Sequence, residues 1–190
     1  MSNDNELEKL ARRFGEFERA VFEYKSLSPG FSGWIAKAMR RRGEILLVVP
    51  RGNGRVLLHT KPHYPDGVYR LPTGGIHRGE DAVDAAKREA YEEIGFKSKS
   101  KELKLLGLLE NVFWVRETRL VYASFVFETR EFLETPAPTD PDEAISGFCD
   151  VDEMELRATG YHLASLPMHW REWGKFRAAA HLWLADRMRA

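Results

Sequence analysis

The chain has one cysteine, Cys149, so no disulfide framework can form within it, and a reducing, cytoplasmic setting is the expectation. It has no excess charge of either sign: 29 Lys+Arg stand against 29 Asp+Glu. Without a basic field, the composition gives no strong signal for nucleic acid and none for an anionic membrane surface. No apolar run approaches the length that spans a bilayer, and the opening MSNDNELEKLARR lacks the apolar centre of a secretory signal. Internal repeats and low-complexity tracts are missing too. Proline is absent between Pro72 and Pro136. What is there is 190 residues, enough for one ordinary domain with a good core and short for two.

The most patterned stretch is GGIHRGEDAVDAAKREAYEEIGF, from Gly74 to Phe96. Glu80 and Asp81 put negative charge where a helix starting near Gly79 has its positive end. Ala82, Ala86, Ala90 and Ile94 recur every four residues with Val83 beside them, one apolar stripe to lay on a core. Gly95 is placed to stop that helix. Glu89, Glu92 and Glu93 fall off the stripe, which puts Glu93 on the solvent side. Carboxylates at i, i+3 and i+4 repel one another, and Arg88, which reaches Glu92 at i+4, cannot neutralise all three. The missing charge is most simply a hard divalent cation with oxygen ligands, Mg2+ or Mn2+ in its place. Just upstream, Thr73-Gly74-Gly75 can bring backbone close to a ligand because glycine has no Cβ. An ordinary solvated acidic helix is the duller alternative; Gly74, Glu80, Arg88 and Gly95 in register argue against it.

Written as spacing, the stretch is Gly74, five residues, Glu80, seven residues, then Arg88-Glu89-Ala90-Tyr91-Glu92-Glu93-Ile94-Gly95-Phe96. It resembles the Nudix box, GX5EX7REUXEEXGU with U bulky or aliphatic, and every fixed position matches. The resemblance implies an α/β (α+β) Nudix fold, a mixed sheet sandwiched between helices. It implies metal-dependent hydrolysis of a nucleoside diphosphate linked to another moiety, hence a small-molecule nucleotide substrate. It makes Glu89, Glu92 and Glu93 metal ligands together with the backbone carbonyl of Thr73. One of the carboxylates acts as base through water, and Gly74, Gly75, Glu80, Arg88 and Gly95 support the site. Such sites often draw a further carboxylate from a late loop, and Glu143 in PTDPDEA is the candidate. Subfamily markers are missing: the ADP-ribose group's proline falls in the proline-free stretch, and Asn111-Val112-Phe113-Trp114 stands where dinucleoside polyphosphate enzymes carry a tyrosine. The NADH run and the coenzyme A pattern are absent as well. Two other readings are a binding module without turnover, and the isomerase branch of the fold, which needs a catalytic cysteine and has only Cys149.

Around this stretch the expected organisation is an N-terminal helix and linker over 1–35, a core domain over 36–165, and a C-terminal helix over 166–190 packed on the same domain. Leu7, Leu10, Phe14, Phe17, Val21 and Tyr24 alternate in steps of three and four, which predicts one helix over 5–24, and 26–32 reads as a turn-rich linker. Residues 44–49 and 55–60 read as strands joined at Asn53-Gly54, the strongest short hairpin signal. Strands are also expected over 68–72, 103–115, 119–129 and 145–151, the last running into a helix at Asp152. Trp170, Trp173, Arg177, Ala180, Leu184 and Met188 mark a final helix. The apolar faces of the two terminal helices could pack together, within one chain or across a homodimer; the sequence leaves both open. Arg40-Arg41-Arg42 reads as a solvated face or a phosphate attractor, and Phe113-Trp114 as core or a base-stacking pair. His63-Tyr64 reads as an exposed loop or a pocket wall, and His77 as loop filler.

Overall fold

The computed structural model describes residues 3–25, 27–97, 99–132 and 134–189. In chain order the elements are α1 (Asn3–Phe14), β1 (Glu18–Tyr24), α2 (Pro29–Ala38), β2 (Glu44–Val48), β3 (Val56–Thr60), β4 (Thr73–Gly75), α3 (Ala82–Ile94), β5 (Lys104–Val115), β6 (Thr118–Glu128), β7 (Gly147–Val151), α4 (Glu153–Ala164) and α5 (Arg171–Met188). The run EILLV of β2 is buried throughout, as a strand covered on both faces should be. It sits inside a five-stranded sheet of order β1-β5-β6-β2-β4, parallel to β6 and antiparallel to β4. A second sheet pairs β3 with β7, antiparallel.

The pleat of β2 sorts the helices. Ile45, Leu47 and Val49 pack with Ala82, Ala86, Ala90 and Ile94 of α3 and with Leu10 of α1. Leu46 and Val48 pack with Ala180, Trp183 and Leu184 of α5. Helices therefore cover both faces of a mixed sheet, the sandwich that the resemblance implies. Among the described residues the two terminal helices pack mainly on the sheet rather than on each other. Their apolar faces join different clusters on opposite sides of the sheet, because each has a sheet face of its own to cover.

Three other expectations are corrected. The single helix over 5–24 ends at Phe14, where Gly15 follows at φ 79, and 18–24 becomes a strand parallel to β5. Ala20, Phe22 and Tyr24 are its half-buried positions, a period of two that reads by chance as helical steps. The tight turn at 51–55 forms, with Asn53 at φ 51, but β2 and β3 part into different sheets because both edges of β2 are taken by β6 and β4. The expected linker at 26–32 is already helical from Pro29, with the Ser28 side chain as its N-cap. Ser26 of that linker, Ser98 of the connector after α3 and Leu133 of the proline-rich loop lie outside the described residues.

One buried ion pair fastens α5 to the sheet. Arg177 Nη1 donates to Glu44 Oε1 and Oε2 at 3.0 and 2.9 Å, and Ser124 Oγ donates to Glu44 Oε1 at 2.7 Å. Arg177 is 8% exposed and Glu44 4%. Removing only the cation strands a buried carboxylate, at a cost of about 3–5 kcal/mol. Arg177→Met should therefore lower the urea midpoint sharply, and adding Glu44→Gln should restore most of the loss. A single variant with the native midpoint would show that the pair contributes nothing.

Candidate active site

The site begins with how α3 is held. Asp81 Oδ1 accepts from the N–H groups of Val83 and Asp84 at 2.9 Å, capping the helix two residues later than the charge pattern suggests. The carboxylate of Glu6, reaching over from α1, accepts from the N–H of Ala82 at 3.1 Å and pairs with Arg42. At the other end Gly95, at φ 75, turns the chain away. The proline-rich loop then docks on the free carbonyls of the last turn: Ala137 N–H donates to Ile94 O at 3.1 Å and Thr139 N–H to Glu92 O at 2.9 Å. That docking is what carries Glu143, in a short turn at Pro141–Glu143, back to the helix.

Four side chains converge there. Arg88 clamps Glu80 with two bonds, 2.8 and 2.9 Å, and reaches Gly75 O at 2.9 Å, so it ties the loop before α3 to the helix. Its Nη1 donates to Glu89 Oε1 at 2.6 Å and to Glu92 Oε2 at 2.8 Å. Carboxylate oxygens of Glu89, Glu92 and Glu143 all lie within 4.8 Å of one another. Glu89 is 3% exposed and is pressed against β4 at Gly74, while Glu92 and Glu143 are half-buried. Lys61 Nζ, at the end of β3, sits 2.7 Å from Glu143 Oε2.

Glu93 is placed differently from expectation. It is 0% exposed, its Oε2 accepts from Thr73 N–H at 2.8 Å, and its Oε1 faces Lys61 at 3.7 Å and His59 Nδ1 at 3.9 Å. The reason is geometric. Glu89 and Glu93 stand seven residues after Ala82 and Ala86, and seven residues return a helix to nearly the same face, so both continue the buried side. Burial raises the Glu89 pKa to about 7, against the pull of Arg88, and that of Glu93 to about 8, against Arg70 and Lys61. Among the described residues, Glu89 Oε2 and Glu93 Oε1 are buried oxygens with no hydrogen-bond donor. The oxygens of Glu89, Glu92 and Glu143, one of Glu89 unpaired, fit a divalent cation; Glu93, turned toward Thr73, His59 and Lys61, lies outside that group of three.

That strain has a sign that can be measured. Glu89 and Glu93 keep protons to higher pH in the folded chain than in the unfolded one, where 4.5 is the ordinary value. Their penalty is absent below that value, grows as pH rises, and is complete above about 8. Below 6.5 the buried His59 and His181, whose pKa values burial lowers, act the other way. From about pH 6.5 to 8.5, then, the metal-free chain should lose several degrees of Tm, at roughly 2–4 °C per kcal/mol. Magnesium should shrink that loss. A Tm in EDTA that is flat or rising over the window would contradict the strained pair.

Other residues singled out in the sequence find duller places. Phe113 is core, stacked on Tyr24 at 4.9 Å. Tyr64 accepts from Arg70 Nε at 2.6 Å and packs on Trp173. His77 lends its backbone N–H to Glu80 Oε2 at 2.8 Å. Cys149, half-buried in β7, has its thiol pKa pushed up to about 11 by burial, which leaves it a poor nucleophile. No spacing in the sequence marks Lys61, His59 or Arg70.

Comparison with known proteins gives the following. Residues 39–170 match the family model described as the NUDIX domain. Over 31 residues the chain is 55% identical to RNA pyrophosphohydrolase of Bartonella clarridgeiae, covering 16% of this chain and 18% of that protein. It is 36% identical over 75 residues to diphosphoinositol polyphosphate phosphohydrolase 2 of Rattus norvegicus, covering 40% of each. The chain thus spans less than half the length of these curated relatives. Among solved structures, the MutT protein of Bacillus halodurans superposes with a TM-score of 0.53 at 21% identity, covering 77% of this chain and 82% of that one, a likeness of fold.

Proposed function

The chain belongs to the Nudix family, and from that premise we propose that it is a metal-dependent pyrophosphohydrolase. Its substrate is a nucleoside diphosphate joined to another moiety, and water attacks phosphorus within the diphosphate bridge. The observation that carries this reading is the meeting of Glu89, Glu92 and Glu143, with a buried oxygen of Glu89 left unpaired. These three, with Glu93 and the Thr73 carbonyl, would hold the cation. Bound there, a divalent ion would offset charge on the diphosphate oxygens and lower the pKa of a water.

The rest is the work of the chain's own residues. Arg88 sets the carboxylates in place through its bonds to Glu89, Glu92 and Gly75, and Glu80 fixes Arg88 in turn. Glu93 holds β4 to α3 through the Thr73 N–H. One carboxylate of the cluster takes the proton from the attacking water. Phosphoryl transfer depends mostly on positioning and electrostatics, so a site of fixed carboxylates and backbone suffices. The isomerase branch loses support because Cys149 is held in its protonated form. No helix among the described residues is long and apolar enough to cross a membrane.

The test is nucleoside monophosphate release from a panel of nucleotide sugars, dinucleoside polyphosphates and nucleoside triphosphates, with and without magnesium. Release from at least one compound, abolished by EDTA, is the expected result. No release from any of them favours the binding-module reading.

A further inference from the structure

Behind strand β4, on the sheet face away from α3, lies an open cleft of about 340 Å³. Its walls come from Trp34 and Lys37 of α2, Arg41 just beyond that helix, Tyr122 of β6, and the Gly74-Gly75 backbone. The size falls at the lower end of small-molecule sites, roughly 300–1,000 Å³. The two glycines look opposite ways. A Cβ added to Gly74 would meet Glu89, whereas one added to Gly75 would meet Arg41 Cγ at 3.1 Å. Strand β4 is the edge of its sheet, so a flexible ligand crossing its outer side reaches the carboxylate cluster and the cleft together.

The electrostatics of the cleft are one-sided. Its one carboxylate, Glu44, is neutralised by Arg177. Arg42 of the Arg40-Arg41-Arg42 run is committed to Glu6 and the Glu80 carbonyl. Lys37 and Arg41 are exposed and carry no ion pair among the described residues. Trp34 is stacked on Phe31 at 5.2 Å, braced by Phe176 at 5.4 Å and has the Arg177 guanidinium carbon 5.9 Å over its ring, which makes the indole a fixed, half-exposed wall. Two free cations beside a half-exposed indole suit a phosphate attached to a planar base.

We propose that this cleft is the subsite for the nucleoside end of the substrate, with Trp34 against the base and Lys37 and Arg41 on a phosphate beyond the scissile linkage. The substrate is then a nucleoside 5′-polyphosphate whose phosphates cross the edge of β4 at Gly74-Gly75. The proposal rests on the pyrophosphohydrolase reading, but binding tests it separately from turnover.

The experiment is calorimetric titration of ATP, GTP and inorganic tripolyphosphate into the full chain in EDTA, where hydrolysis is suppressed. ATP or GTP should bind, and Lys37→Ala and Arg41→Ala should each weaken it by roughly tenfold, the worth of one charge-assisted hydrogen bond. Trp34→Leu should weaken the nucleotides and leave tripolyphosphate unchanged, a split that general loss of folding would not give. Native affinity in both cation variants, equal losses for nucleotide and tripolyphosphate in Trp34→Leu, or no binding of either nucleotide would overturn the proposal. If binding behaves as expected while no panel compound is hydrolysed with magnesium, the subsite stands and the hydrolase reading falls.

Discussion

Glu92→Gln should lower turnover by at least about 100-fold, beyond the 10–100-fold typical of residues that merely orient metal ligands. The replacement keeps the shape of the side chain and removes its charge, so only its affinity for a cation and its pairing with Arg88 change. The pairing is partly solvated and is worth about 0–1 kcal/mol. Arg88 keeps its two bonds to Glu80 and its bond to Gly75 O, so the loop before α3 stays in place. Tm should therefore move by no more than a few degrees, at roughly 2–4 °C per kcal/mol. Glu93→Gln is the less useful variant. That side chain is fully buried and bonded to Thr73 N–H, so lost activity there would mix chemistry with packing. Turnover of Glu92→Gln within a few-fold of native would remove this residue from the site.

Gly74→Ala should be as damaging, for a steric reason. The added Cβ would lie 1.6 Å from Glu89 Cδ and 1.8 and 1.9 Å from its oxygens, distances no packed pair of atoms adopts. The carboxylate must leave its place between Gly74 and Arg88, and it has little room because Glu89 is buried. Overpacking of this kind costs typically about 1–3 kcal/mol, and the displaced ligand should lower turnover by about 100-fold or more. Gly79→Ala is the control. Gly79 has a positive φ of 82 but nothing within 4 Å of an added Cβ, so it should cost some stability and spare the rate. Equal activity of Gly74→Ala and the native chain would mean that Glu89 does not need its observed position.

The sequence makes the helix of the box legible because one segment carries its own acidic start, stripe and stop: Glu80-Asp81, the alanines and Gly95. It made the sheet strands legible wherever Val, Ile, Leu and Phe run together. Less local information was harder to read. Glu93 looked exposed because a wheel drawn from the apolar residues alone ignores that a carboxylate can occupy the same face, where β3 and β4 close over it. Strand β1 reads as helix because Val21 and Tyr24 fall at helical steps by coincidence, and only Gly15 marks the break. His59 lies in β3, Lys61 just past it and Arg70 in the segment bridged to His59 ahead of β4, and only the folded chain brings them to Glu93. Glu143 follows from the resemblance alone; what carries it to Glu92 is the backbone of the proline-rich loop bonding to the end of α3, which no residue pattern announces.

The central claim is that the carboxylates at the end of β4 grip a divalent cation. Crystals soaked in manganese with a nucleotide, measured at the manganese absorption edge, test it most directly. The account predicts an anomalous peak among the oxygens of Glu89, Glu92 and Glu143, at ordinary metal–oxygen distances of about 2.0–2.6 Å. Nucleotide density in the crystal with no peak among those three side chains would contradict it.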